Sequence, residues 1–164
     1  MTAIISDCGL YRYRLEREIG LFGSPGAFIM INPSVADGEI DDPTIRRIVG
    51  FAKSLGWSKV IVGNLFAYRT PDVRELARVP DPVGPENASH LKAIFEEVAT
   101  TVVAWGPCRK LPSRLRDEWR NVVNLSIETE RDLLCLEIAN DGHPRHPLML
   151  KKDSRPRPWH PPLD

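Results

Sequence analysis

Residues 24–34 read Ser-Pro-Gly-Ala-Phe-Ile-Met-Ile-Asn-Pro-Ser, and the apolar run 27–31 inside that frame decides the fold. Pro25-Gly26 before it and Asn32-Pro33 after it are turn formers, so the run is too short for a helix. Five apolar residues in a row, with no polar alternation, suit a strand buried on both faces. Such a strand requires packing layers above and below it. Immediately downstream, residues 44–55 (TIRRIVGFAKSL) place Ile45, Ile48, Val49 and Ala52 on one helical stripe while Arg46, Arg47 and Lys53 point away. Asp42 is positioned as the N-cap, Pro43 at the first helical position and Gly56 as the stop.

The same alternation continues along the chain. Residues 60–62 (VIV) form a second apolar run, 86–98 a second amphipathic helix carrying Leu91, Ile94, Phe95 and Val98, and 101–105 (TVVAW) a third run. Residues 113–120 predict a third helix, followed by short apolar runs at 122–125 and 133–138. Between them, residues 67–85 hold Pro71, Pro80, Pro82 and Pro85 and predict a long surface loop with at most a short helix over 72–77. Strand, helix, strand, helix, strand predicts an α/β fold: a three-layer α/β/α sandwich with a mainly parallel central sheet. Right-handed crossovers bring the C-terminal ends of such strands to one edge, where ligands bind.

Composition sets the outer limits. The chain has 164 residues with 22 Lys plus Arg and 22 Asp plus Glu, a formal charge of zero, which excludes a uniformly basic nucleic-acid coat but allows a local basic face. One domain over residues 1–152 and a proline-rich extended arm over 153–164 account for the length. Three widely spaced cysteines, Cys8, Cys108 and Cys135, suit neither a disulfide framework nor a tetrahedral zinc site, and no apolar stretch reaches the length of a membrane span. A soluble, cytoplasmic protein with no cofactor, no metal and no membrane partner is expected.

The residues expected at the ligand edge are Asn32, Pro33 and Ser34 after the first run, Asn64 after the second, Trp105 after the third, and His143, Arg145 and His146 after the last. Asn32 precedes a proline and is held extended. The Asn64 carboxamide can both donate and accept, which suits the edge of a nucleobase, although either asparagine can equally cap a turn. His143 and His146 each precede a proline, which disfavours a shared metal and suits a rigid loop presenting an imidazole to developing negative charge. Asp37, Glu39, Asp41 and Asp42 put four carboxylates in six residues, able to bind Mg²⁺, orient a water, or simply form a solvated loop ending in a helix cap. Phe66 and Arg69 lie in the segment after Asn64; Arg46, Arg47, Arg69, Arg74, Arg109, Lys110, Arg114, Arg145, Lys151 and Lys152 are candidates for a phosphate-contacting rim if they share a face, Arg145 foremost because it sits inside the His-Pro loop. Tyr11, Tyr13 and Phe66 also read as packing residues.

Taken together, FIMINPSVA (28–36), DDPTIRRIVGFAKSLGW (41–57), NLFAYRTP (64–71), DPVGPEN (81–87), AWG (104–106) and DGHPRHPL (141–148) resemble an uncharacterised family of small bacterial and phage proteins carried as a domain of unknown function. More distantly, Ile31-Asn32-Pro33, Gly63-Asn64-Leu65 with Arg69-Thr70-Pro71, and Gly142-His143-Pro144-Arg145 resemble, in order, three motifs of the uracil-DNA glycosylase superfamily. That resemblance implies a glycosylase-like fold and hydrolysis of an N-glycosidic bond. Asn32 would hold the attacking water, Asn64 would read the base, His143 would donate to the departing base, and Asp37 or Asp42 would be a reserve group supporting the cationic sugar. The partner would be a nucleobase, nucleotide, DNA or RNA. A non-catalytic nucleotide-binding module using the same crevice is the alternative, and a metal-dependent phosphoesterase built on Asp37, Glu39 and Asp41 is a third reading.

Overall fold

The computed structural model describes residues 2–163; Met1 and Asp164, the outermost residues of the expected domain and arm, lie outside them. The chain forms a seven-stranded sheet and three α-helices in the order β1 (Thr2–Ile5), β2 (Arg12–Glu18), β3 (Gly26–Met30), α1 (Pro43–Ser54), β4 (Lys59–Asn64), α2 (Asn87–Glu97), β5 (Thr100–Val103), α3 (Trp119–Glu128), β6 (Leu133–Cys135) and β7 (Arg157–Pro158). In space the strands run β1-β2-β4-β3-β5-β6-β7.

β3 is the centre. All five of its residues are buried, and it pairs in parallel with β4 on one side and β5 on the other. Its side chains alternate between two cores. Ala27 and Ile29 join Leu91, Ile94 and Phe95 of α2 and Trp119 and Val122 of α3, whereas Phe28 and Met30 join Ile45, Ile48, Phe51 and Ala52 of α1. The apolar run thus fills both faces, as its unbroken hydrophobicity demands. Local chemistry explains α1: the Asp42 carboxylate accepts the Ile45 N–H at 2.9 Å, Pro43 opens the helix, and Gly56 follows its end at φ +70°.

The structure corrects the sequence reading in three places. The sheet is mixed rather than mainly parallel: β3–β4, β3–β5 and β5–β6 are parallel, but β1–β2, β2–β4 and β6–β7 are antiparallel. The charged segment RYRLERE supplies β2, a strand that apolar periodicity does not reveal. The third helix begins later than expected. Residues 113–115 make only a 3₁₀ turn after Pro112, and Val122, read as part of an apolar run, lies on α3 with Trp119 and Ser126 on its buried side. The C-terminal arm is extended, yet it contributes to the fold: β7 pairs with β6, and Trp159 is buried in edge-to-face contact with Trp105 and Trp119 at 5.3 and 6.1 Å.

A bulge in β2 divides its side chains between the two faces of the sheet. Ile4 opposes Arg14 but Ile5 opposes Arg12, so Tyr13 is an extra residue on that strand. Arg14 and Tyr13 meet α2, through Glu97 and a stacked His90, while Arg12 is turned to the α1 side, where it reaches the Ala36 carbonyl.

Because Phe28 is fully buried against Trp57, Phe28→Ala should cost about 3–5 kcal/mol. A urea titration should show the midpoint falling with little change in slope; a midpoint close to the parent's would mean that the α1-side core does not carry the fold.

Candidate functional site

The parallel ladder extends past its strands. Leu65 and Phe66 donate their N–H groups to Met30 and Ile31, so the segments leaving β3 and β4 stay side by side. The loop after β4 folds back on the Asn-Pro turn, Thr70 N–H bonding the Pro33 carbonyl at 2.9 Å. A crevice of about 380 Å³ opens between these segments, the start of α1 and the His146 loop, a volume suited to a small ligand. Asn32, Ser34, Asn64 and His146 line it, together with Arg12 and Thr70.

Asn64 ends β4 and is buried, and neither Nδ2 nor Oδ1 of its side chain makes a hydrogen bond to the protein. Its backbone is fixed from behind by Asn87, whose Nδ2 donates to the carbonyls of Asn64 and Leu65 at 3.0 and 3.1 Å. Asn32 is oriented by Nδ2 donating to the carbonyls of Pro33 and Thr70 at 3.0 and 2.8 Å. Both partners can only accept, so the amide group is assigned by chemistry and Oδ1 is left as an acceptor.

His146 caps a 3₁₀ turn, Pro147–Met149, with Nδ1 accepting the Leu148 N–H at 3.3 Å. The proton of the neutral ring is therefore on Nε2. Arg47 of α1 holds this loop by donating to the carbonyls of Pro147 and Leu150. That helix arginine, which reads in sequence as a solvated charge, is a structural clamp.

Other expected site residues are set apart from the crevice. His143 lies in an aromatic nest: its Nδ1 accepts from Trp105 Nε1 at 3.4 Å, Cys108 Sγ is 3.6 Å away, and Trp119 meets it edge-on at 5.5 Å. It borders a different hollow, with Cys108, Asp117 and Pro162. Burial pushes the Cys108 thiol up to about 12. Trp105 and Phe66 are core residues. Arg145 pairs with Glu137 at 3.1 Å and faces a third hollow, and Arg69 Nη1 donates to the Gly9 carbonyl. Pro33 is buried in the turn and acts through its carbonyl.

The acidic loop is used for architecture. Asp37 Oδ1 accepts the N–H groups of Glu39 and Ile40, both at 2.9 Å, which hold its carboxyl below the usual range. Asp41 pairs with the buried Arg17 at 2.7 Å, and Arg17 also donates to the Asp37 carbonyl at 2.6 Å. Among the described residues, no group of three or more His, Cys, Asp or Glu is gathered as a metal site.

Sequence reasoning missed Arg12 and Thr70. Thr70 carried a hint in its place within Arg69-Thr70-Pro71. Arg12 carried none, because its position depends on the bulge.

The chain matches the family described as "Protein of unknown function (DUF1643)" over residues 12–148 and belongs to it. Comparison with the curated proteins finds no match, and comparison with solved structures finds none.

Both loop imidazoles are held below the ordinary histidine value of about 6.5. Burial is the main cause in each case; Asp141 and Asp117 oppose it at His143, while Lys110 adds to it and Asp42 opposes it at His146. The unfolded chain therefore binds more protons than the folded chain as the pH drops through about 6.5. The stability from these two rings is fully present above that value and is lost below it. Urea midpoints taken between about pH 8 and about pH 5 should fall in the acid half. The double variant His143→Gln, His146→Gln should flatten that fall; an unaltered fall would assign it to other groups.

Proposed function

We propose that the crevice recognises a nucleobase, carried by a nucleotide or a nucleic-acid strand. The observation behind this reading is Asn64. A buried carboxamide with a donor and an acceptor side by side, neither paired within the protein, costs about 1–3 kcal/mol per unmet atom. A ligand edge with the complementary pair recovers that cost, and the amide-like edge of a pyrimidine or purine has it. The back of the residue is fixed by Asn87, so the edge is preorganised.

Two features support a hydrolytic form of the reading, cleavage of an N-glycosidic bond. Asn32 Oδ1 is a free acceptor that can orient a water, and the His146 Nε2 proton can be donated to the oxygen of a departing base as negative charge develops there. His146 takes here the role that the sequence resemblance gives to His143. The parallel quartet β4-β3-β5-β6, with α1 on one face and α2 and α3 on the other, supports a three-layer α/β/α description and, at that level, the resemblance to uracil-DNA glycosylases. Non-catalytic binding of the same ligands is the form that remains if no bond is broken.

The test combines calorimetric binding of the common nucleosides with release of free base from uracil- and hypoxanthine-containing oligonucleotides in the presence of chelator. Asn64→Ala should weaken binding by about 10-fold or more, equivalent to about 1.4 kcal/mol. His146→Ala should lower base release by about 100-fold while binding changes only slightly. Loss of release in His143→Ala, with His146→Ala at the parental rate, would return the donor role to His143. Full nucleoside binding by Asn64→Ala would remove the basis of the base reading.

A further inference from the structure

Arg12 is a buried cation facing the same crevice, 2% exposed. Its Nη1 donates to the Ala36 carbonyl and its Nε donates to nothing; among the described residues it forms no ion pair. An arginine cannot shed its charge at neutral pH, so burial without a counter-charge is costly.

The carboxylates of Asp42 and Asp37 attract it from a distance, but neither forms an ion pair with it and each is engaged elsewhere. Asp42 spends Oδ1 on the N-terminus of α1, where the helix dipole offsets a negative charge. Asp72, in the crevice wall, is held by Arg74 through a two-point contact with distances of 2.8 to 3.1 Å. Arg17 is paired with Asp41, and Asp37 is satisfied by two backbone N–H groups. Arg69, a further cation near Arg12, adds to the positive field, and His146 in the wall is neutral above about pH 6.5. Among the described residues lining the crevice, Arg12 is thus a buried positive charge without an ion-pair partner, beside the first turn of α1, whose Thr44 also lines it.

The geometry points to an anionic group on the ligand: we propose that Arg12 seats a phosphate of the nucleotide whose base meets Asn64. This rests on the nucleobase reading for the rest of the ligand, but the Arg12 seat is separately testable. A guanidinium can engage two phosphate oxygens at once, and the polar residues Thr44 and Ser34 line the same crevice.

The experiment is isothermal titration at constant ionic strength with four probes: the nucleosides, their 5′-monophosphates, single-stranded trinucleotides and inorganic phosphate. At least one phosphate-bearing probe should bind about 10-fold or more tightly than its nucleoside. Arg12→Gln should abolish that margin while leaving nucleoside affinity within a few-fold. A margin seen with the monophosphate indicates a free nucleotide, and one confined to the trinucleotide indicates a strand phosphate. Equal affinity for nucleosides and both phosphate-bearing forms overturns the proposal and leaves the base reading standing. If no nucleoside binds, the base reading fails; inorganic phosphate then decides alone, an Arg12-dependent affinity upholding the seat and its absence ending it. Since Arg12 also holds Ala36, folding of Arg12→Gln is checked by circular dichroism. If it does not fold, Arg12→Lys supplies the comparison: it keeps the charge without the two-point fork and should retain only part of the margin.

Discussion

The architecture follows from one constraint: β3 has no polar residue to show to water on either face, so both must be covered. Phe28 and Met30 recruit α1, while Ala27 and Ile29 recruit α2 and α3. Helices on both sides require crossover connections, and these make β3, β4, β5 and β6 parallel. Parallel strands release their following loops at a common edge. The meeting of Asn32, Asn64 and His146, more than 30 residues apart in sequence, is thus an outcome of burying five apolar side chains.

Polar chemistry then shapes that edge. Arg12 and Arg17 reach from β2 across the α1 face to the carbonyls of Ala36 and Asp37, fastening the acidic loop to the sheet. Arg47 does the same for the His146 loop from α1. These three arginines, of which only Arg47 is given an outward-facing reading by the sequence, are used as tethers between segments. Buried polar atoms are normally paired, and of the few buried side-chain atoms that lack a partner, on Arg12, Asn64, Arg69, Asn87 and Arg131, those of Asn64 and Arg12 belong to residues lining the crevice.

The parts legible in sequence were those governed by local rules. The apolar runs, the Asp42-Pro43 cap and the Gly56 stop depend only on neighbouring residues, and the strand-end positions of Asn32 and Asn64 follow from them. What depended on distant partners was hidden. β2 carries four charges in its first six residues, and its burial makes sense only once Asp41, Ala36 and Glu97 are in place. The two histidines share the same local sequence logic, each before a proline. Which of them faces the crevice is decided by Trp105 and Trp119, which claim His143 for the aromatic nest. The helix limits around residues 113–128 were obscured because Pro112 and Ser113 imitate a start that becomes a single 3₁₀ turn.

Trp159 has a consequence for biosynthesis. It sits between Trp105 and Trp119 and donates to the Gly142 carbonyl at 3.0 Å, so the α2/α3 side of the interior lacks one of its largest side chains until that position has been translated and has left the ribosome. The α1 side needs residues only up to Leu150. The two halves of the interior therefore receive their last residues at different moments of synthesis, the α1 side first and the α2/α3 side later.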